Sequence, residues 1–284
     1  MNILILGVTG MLGNTLFRYF AKNKNFKVFG TVRGNGSPSY LPHGSTGEVV
    51  GGVDVENQDS LIRTFAQIKP KIVINCVGVV KQLAAANDHL HAIPINSILP
   101  HRLAILSEAT RARLIQIGTD CVFSGSKGNY VEDDFPDAYD LYGRSKLLGE
   151  VDYPNAITLR TSIIGHELSG NRSLISWFLS QENKTNGFTK AIYSGFPTVE
   201  LAKIIDKYVI PRPQMHGLYH VSSDPINKYE LLKLVRDTYK KDIEIEPFDK
   251  LVIDRSLNSE RFKRETGYIP PTWPELVKKM YEFK

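Results

Sequence analysis

The N-terminal stretch MNILILGVTGMLG constrains the chain more than any other part of it. Residues 2–6 (Asn2, Ile3, Leu4, Ile5, Leu6) form an almost unbroken apolar run, the pattern of a parallel strand buried on both faces. Gly7, Gly10 and Gly13 follow at three-residue spacing, and an amphipathic segment with Met11, Leu12, Leu16, Phe17 and Phe20 opens at once. A strand that ends in glycines and leads into a helix aims backbone N–H groups and the positive helix end at one point, where a pyrophosphate can sit. The spacing is G-x-x-G-x-x-G and not G-x-G-x-x-G, and strand-to-helix turns also use glycine for steric reasons alone. Placed after such a strand, the turn is expected to be a nucleotide site.

Composition narrows the alternatives. A chain of 284 residues, 42% hydrophobic and 23% charged, can bury a large core as one large domain or two modest ones. No apolar run reaches the roughly 18–20 residues of a membrane span, and the N-terminus lacks a basic leader, so no membrane partner and a cytoplasmic location are expected. Cys76 and Cys121 make neither a disulfide framework nor a metal-ligand spacing, and His89 and His91 are wrongly spaced for one helix face. We therefore expect no metal. The net charge of +5 is spread along the chain apart from small clusters such as Lys240–Lys241. Without a basic run interleaved with aromatics, a phosphate-bearing small molecule is the expected partner rather than a nucleic acid.

Further strands and helices alternate. Lys27–Val32 reads as a second strand ending at Arg33, before a Gly/Ser/Pro stretch from Gly34 to Gly47. An acidic residue at that strand end favours NAD, and a basic one accommodates the 2′-phosphate of NADP; Arg33 points to NADPH, with NADH left open. Glu48–Val53 is expected as a third strand ending at Asp54 and Val55, Gln58–Ile68 as a helix, and Lys71–Val77 as a fourth strand closing on Gly78. Asn96–Thr110 reads as a helix with Ile98, Leu103 and Leu106 on its apolar side, and Leu114–Ile117 as a fifth strand ending at Gly118, Thr119 and Asp120. This alternation predicts right-handed βαβ units around a parallel sheet. Thr119 and Asp120 would then lie beyond the carboxyl end of a strand, where such sheets bind ligands.

A long polar stretch, Phe123 to Asp140, is expected to be a binding loop, and Asp140–Glu150 (DLYGRSKLLGE) a helix. Tyr142 and Lys146 are four apart and share one helix face. An ammonium beside a phenol lowers the phenol's pKa from about 10 toward working pH, as a general acid for carbonyl reduction requires. The Y-x-x-x-K pair is common on helices. It gains meaning here by following a glycine-rich turn and a strand-end Thr.

Taken together, these motifs resemble the extended short-chain dehydrogenase/reductases, and within them the dTDP-4-dehydrorhamnose reductase branch. The matching stretches are GVTGMLG, NCVG (Asn75–Gly78), GTDCVF (Gly118–Phe123), DLYGRSKLLGE, LRTS (Leu159–Ser162), GLYHVSS (Gly217–Ser223) and DRSLNSERF (Asp254–Phe262). The resemblance implies a Rossmann-type doubly wound parallel sheet over residues 1–165, rejoined by about 196–225. It further implies a smaller C-terminal substrate-binding lobe over 166–284. It makes Tyr142 the proton donor to a 4-keto oxygen, Lys146 the group that lowers its pKa and holds the nicotinamide ribose, and Thr119 a hydrogen-bond partner of the keto oxygen. It places Gly7, Thr9, Gly10, Met11, Leu12 and Gly13 at the pyrophosphate, Asp54 and Val55 at the adenine, and Cys76, Val77 and Gly78 on the nicotinamide side. Lys81, Asp120 and Arg255 become contacts to a sugar nucleotide.

The chain departs from the branch at Gly118, where Ser precedes the catalytic Thr, at Cys121, where a Tyr is usual, and at Ile163, where an aromatic is expected. Lys81 and Gln82 also differ from the usual alanine-rich sequence. A missing stacking surface leaves the hexose open: dTDP-4-dehydrorhamnose, or a UDP-linked N-acetylated 4-keto-6-deoxy hexose. The implied activity is an NADPH-linked 4-ketoreductase in surface polysaccharide precursor synthesis. Its alternatives are an epimerase or dehydratase on the same scaffold, or a non-catalytic NADP-binding regulatory subunit; the sequence leaves a homodimer open.

Beyond the catalytic helix, Ala156–Arg160 reads as a sixth strand, Thr198–Tyr208 as a helix, and Gly217–Val221 as a strand returning to the main sheet. Trp177, Phe178, Phe188 and Tyr193 suit either a sugar-binding lobe or a core. Asn227–Tyr239 and Pro274–Tyr281 are expected helices, with a short strand at Ile243–Ile245.

Overall fold

The computed structural model describes residues 1–35, 47–81 and 84–284; most of the Gly/Ser/Pro stretch after Arg33, and Gln82, lie outside the described residues. In chain order the elements begin with β1 (Asn2–Leu6), α1 (Met11–Phe20), β2 (Lys27–Thr31), β3 (Glu48–Val50), α2 (Gln58–Ile68) and β4 (Ile72–Asn75). Next come α3 (His89–Ala92), a wide-turned helical segment Ile93–Ile98, α4 (Leu99–Ala109), β5 (Arg113–Ile117), α5 (Leu141–Leu147) and β6 (Ala156–Arg160). Then follow β7 (Ile163–Ile164), α6 (Leu174–Ser180), β8 (Lys184–Phe188), β9 (Ala191–Tyr193), β10 (Phe196–Pro197), α7 (Thr198–Ile204) and β11 (Gly217–His220). The chain closes with β12 (Ile226–Asn227), α8 (Lys228–Tyr239), β13 (Glu244–Phe248), β14 (Ile253–Asp254), α9 (Glu260–Thr266) and α10 (Trp273–Glu282).

Seven strands form one sheet in the order β11-β6-β5-β4-β1-β2-β3, and every pair from β6 to β3 is parallel. The expected α/β sheet is therefore present, and its order reverses between β1 and β4. A reversal of this kind opens a crevice at the carboxyl ends of the two strands. One face of the sheet, with Leu4, Leu6, Phe29, Val73 and Leu114, packs against Leu61, Phe65 and Ile68 of α2 and Leu99 and Leu103 of α4. Each such buried side chain contributes about 1.5–3 kcal/mol. Leu16, Phe17 and Phe20 of α1 are also fully buried. Gly30 of β2 makes room for this packing, since a Cβ there would stand 2.9 Å from the Phe17 ring and 2.6 Å from Val8.

Helix α2 starts where the sequence suggests because Asn57 accepts a hydrogen bond from the Ser60 N–H at 3.1 Å. The helix expected from Asn96 instead begins seven residues earlier, at His89. Asp88 caps it, accepting from the Leu90 N–H at 2.9 Å. Pro94 and Pro100 each sit at the start of a helical segment, where a missing N–H costs little, and the wide turns absorb Pro94. Ile98, expected on the apolar side, is 42% exposed, whereas Leu103 is fully buried; the wide turns rotate Ile98 outward. The third strand stops at Val50 rather than Val53. Phe178 and Tyr193 are buried.

The chain divides into two compact units. The first comprises residues 1–118, 139–159 and 202–218, the second 119–138, 160–201 and 219–284. The second contains a three-stranded sheet, β12-β9-β14, and a parallel β8–β13 pair. Their strands run from two to five residues, too short to show a period in sequence.

Candidate active site

In the first unit the glycine turn is built by close approach. Gly7 has φ +82°, and a Cβ on it would meet Val77 Cγ2 at 2.9 Å. A Cβ on Gly13 would lie 2.2 Å from the Gly7 carbonyl oxygen, so only glycine lets α1 start this close to the turn. The Gly10 N–H donates to Gly7 O at 3.1 Å, and the Gly7 N–H to Thr31 Oγ1 at 3.2 Å, which ties the turn to the end of β2. No side chain caps α1 at Gly10 and no acidic residue occupies its first turn, so the amides of Met11, Leu12 and Gly13 carry the positive helix end without a competing carboxylate. Leu12 is buried and Thr9 exposed. The donor set and the space left by the glycines fit a dinucleotide pyrophosphate. Arg33 is exposed at the end of β2.

Asp54 is exposed and turned to local use: its Oδ1 accepts from the Glu56 N–H at 3.0 Å, while its N–H donates to Ser60 Oγ at 3.1 Å. Val55 joins the core cluster with Leu61 and Phe65.

The exit of β4 is wired to the Tyr142 helix. Asn75 Oδ1 accepts from the Val77 N–H at 3.1 Å, and Asn75 Nδ2 donates to Gln116 Oε1 at 2.8 Å. Asn96 Oδ1 accepts from the Val79 N–H at 2.9 Å, and Asn96 Nδ2 donates to Ser145 Oγ at 3.2 Å. Ser145 Oγ in turn donates to the Tyr142 carbonyl at 3.0 Å. All of these side chains are buried, where a satisfied polar network fixes geometry and a broken one is costly. Tyr142 packs against Val79, Ala86 and Ile95. Lys146 Nζ donates to the Ile117 carbonyl at 2.9 Å, at the carboxyl end of β5. Burial pulls its pKa down to about 8, against the carboxylate of Glu150 and the thiol of Cys76. Burial also pushes the Cys76 thiol far up, so it stays protonated, with Lys146 opposing weakly. A Cβ on Gly78 would stand 4.0 Å from Lys146 Nζ. Gly7, Gly13, Val77, Gly78 and Lys146 are thereby linked in one unit. Lys81 forms an ion pair with Asp140 at 2.9 Å, and Asp140 caps α5 by accepting from the Gly143 N–H at 2.8 Å.

In the second unit Thr119 and Asp120 are buried at the start of a short helical turn. Thr119 Oγ1 accepts from the Cys121 N–H at 3.1 Å and lies 3.3 Å from Asp120 Oδ1. Burial raises the Asp120 carboxyl, and the charge of Arg255 pulls it back. Arg255 Nε donates to the Phe123 carbonyl at 2.8 Å. Behind them, Phe123 stacks on Tyr130 at 4.0 Å, and Arg160 lies 5.0 Å over the Phe123 ring. Arg160 also meets His220 Nε2 at 2.8 Å, and His220 Nδ1 meets the Tyr130 carbonyl at 3.0 Å. Burial and the Arg160 charge lower the His220 pKa to about 3, so it is neutral, donating from Nδ1 and accepting at Nε2.

The family model for the RmlD substrate binding domain matches residues 1–283. The chain belongs to the RmlD substrate binding domain family. Curated relatives of this RmlD-family chain include methionine adenosyltransferase 2 subunit beta of Danio rerio, 25% identical over 84% of this chain and 73% of the relative. Another is dTDP-4-dehydrorhamnose reductase of Salmonella typhimurium, 24% identical over 99% and 97% of the two chains. Among solved structures, dTDP-4-dehydrorhamnose reductase from Bacillus anthracis in complex with NADP superposes with a TM-score of 0.79 at 22% identity, over 99% of this chain and 98% of that one. WbmG of Bordetella bronchiseptica in complex with NAD gives a TM-score of 0.78 at 18% identity, over 100% and 93%. At these identities the structural likeness carries the RmlD fold.

Sequence reasoning missed Asn75, Asn96, Gln116 and Ser145. Asn75 lies inside the strand expected over Lys71–Val77, and Asn96 and Ser145 are 49 positions apart and meet only in the fold. Among the described residues no group of three or more His, Cys, Asp or Glu side chains could hold a metal ion, and no helix is long and apolar enough to cross a membrane.

Proposed function

We propose that the chain is an NADPH-linked reductase of the 4-keto group of a nucleotide-linked 4-keto-6-deoxy hexose. The sugar would be dTDP-4-dehydrorhamnose or a UDP-linked N-acetylated analogue, used in surface polysaccharide precursor synthesis. The observation that carries the reading is the half-buried Lys146 ammonium, pinned to the Ile117 carbonyl, on the helix that bears Tyr142 and in the same unit as the glycine turn. NADP and NAD in the solved relatives, and the reductase among the curated ones, support the cofactor and the class of substrate.

The amides after Gly10 and the glycine turn would hold the pyrophosphate, and Arg33 the 2′-phosphate. The nicotinamide, when bound, supplies the hydride. Tyr142 donates a proton to the keto oxygen, and the Lys146 ammonium stabilises the phenolate that remains. Thr119 donates a hydrogen bond to that oxygen, and Lys81, Asp120 and Arg255 contact the sugar nucleotide. Each turnover consumes one NADPH and one proton and leaves an alcohol at the former keto carbon.

The test is loss of NADPH absorbance on adding a panel of UDP- and dTDP-linked 4-keto-6-deoxy sugars, with product mass. Stoichiometric oxidation and a product heavier by two hydrogens are expected with one sugar. Tyr142→Phe should lower kcat by about 10²–10⁴ while NADPH affinity holds. Product formed without net NADPH loss would instead indicate the epimerase or dehydratase reading. A second reading has its own observation: curated relatives at 25% identity are the beta subunit of methionine adenosyltransferase 2. Tight NADPH binding with no oxidation across the panel would favour that regulatory role.

A further inference from the structure

In the second unit the chain from Phe123 to Tyr130 folds back on itself, and one side chain closes the turn. The Tyr130 hydroxyl accepts from the Gly125 N–H at 3.2 Å and from the Lys127 N–H at 3.1 Å. The hydroxyls of Ser124 and Ser126 also bond to it. The Tyr130 ring lies flat on Phe123, with 4.0 Å between centroids and 8° between planes. Tyr130 is 3% exposed and Phe123 fully buried, so one stacked pair fixes both ends of the turn.

The C-terminal segment that carries Arg255 is laid along this turn. The Asp254 N–H donates to the Gly125 carbonyl at 2.8 Å, the Tyr130 N–H to Ser256 O at 2.9 Å and the Asn258 N–H to Tyr130 O at 2.7 Å. The Arg255 stem crosses Gly125, where a Cβ would stand 3.0 Å from Arg255 Cγ. Arg255 Nε donates to the Phe123 carbonyl at 2.8 Å. A guanidinium is a planar fork, so a bond at Nε fixes the direction of its two terminal nitrogens. The Arg255 charge already acts on the carboxylates of Asp120 and Asp137. Asp137 is itself held by the Ser124 N–H and hydroxyl, both at 2.6 Å. Orientation of the fork, more than its charge, is what the turn supplies.

We propose that Tyr130 is a positioning residue for Arg255: by closing the turn from Phe123 to Lys127 it aims the guanidinium at a phosphate of the nucleotide sugar. The proposal rests on the sugar-nucleotide reading, in which Arg255 touches the substrate, and adds a residue that acts only through Arg255.

The experiment titrates the NADPH-loaded protein calorimetrically with UDP and with dTDP. Four forms are compared: wild type, Tyr130→Phe, Arg255→Lys and the double variant. Tyr130→Phe should weaken each probe that binds the wild type by about three- to tenfold. On the Arg255→Lys background, which keeps the charge, the same change should move affinity by less than about twofold, because an ammonium has no plane to orient. Equal losses on both backgrounds, or no loss on either, overturn the proposal. Thermal melting followed by circular dichroism shows that each form is folded at the temperature of titration. Phe123→Leu, which removes the stacked ring and keeps the carbonyl, is the second variant should Tyr130→Phe not fold, and it should show the same dependence on Arg255. Binding of neither probe to the wild type removes the sugar-nucleotide reading and the proposal with it. If no 4-keto sugar is reduced but the loss is confined to the arginine background, the reductase reading fails and the role of Tyr130 stands. If a sugar is reduced and the losses are equal, the role of Tyr130 alone fails.

Discussion

Lys146 is held by one short hydrogen bond to a strand carbonyl and surrounded by enough protein to bring its pKa to about 8. The proposed chemistry needs the ammonium. kcat/KM for the nicotinamide cofactor, which reports groups of the free enzyme, should therefore be level below pH 8 and fall about tenfold per unit above it. A profile flat to pH 10 would remove the electrostatic role. The sign for stability is opposite. A lysine whose folded pKa of about 8 lies below its ordinary 10.5 costs stability at low pH, where it is buried charged, and that cost is relieved as pH rises from 8 toward 10.5. Tyr142 and Lys146 were legible in the sequence because a spacing of four is a statement about one helix face. The partners that hold them were not, since Asn96 and Ile117 come from other elements and carry no local mark.

At the scale of elements, the turn between β1 and α1 is decided by one missing methyl group. Gly13→Ala would place a carbon 2.2 Å from the Gly7 carbonyl oxygen, and the helix start must move. We expect a loss of about 1–3 kcal/mol in stability, as for other overpacked sites, and NADPH affinity weakened more than tenfold. Gly10→Ala meets nothing nearer than the same oxygen at 3.5 Å and should lose far less. Fluorescence titration of the two variants checks this, and equal losses would count against the close-approach account. Helices α2, α5 and α8 stand where the sequence places them because Asn57, Asp140 and Asn227 each cap an amide three residues on, a local signal. The helical segment that ends at Ala109 starts at His89 and not at the expected Asn96, because Asp88 caps it there and Leu99 and Leu103 anchor its later part in the core.

For the whole molecule, the glycine turn lies in one unit and the Thr119–Asp120 cluster in the other, and neither unit is contiguous in sequence. A ligand at one hundred times its Kd adds about 2.7 kcal/mol to the folded state, which is about 5–10 °C in Tm for a unit of this size. NADPH should raise Tm by this amount at such saturation, and NADH at the same concentration by less. Arg33→Ala should bring the two shifts together; scanning calorimetry decides it, and an unchanged difference would take the 2′-phosphate away from Arg33.

The sequence by itself determined the alternating strands and helices, the glycine turn, and the Tyr142–Lys146 pair, since hydrophobic period, turn chemistry and helix spacing are all local properties. Only the tertiary structure decided which distant side chains meet. Asn96 with Ser145, Arg160 with His220, and Arg255 with Phe123 are pairings across tens of residues or more. Such pairings are set by sheet register and by the need of buried polar groups for partners, and neither quantity exists until the chain has folded.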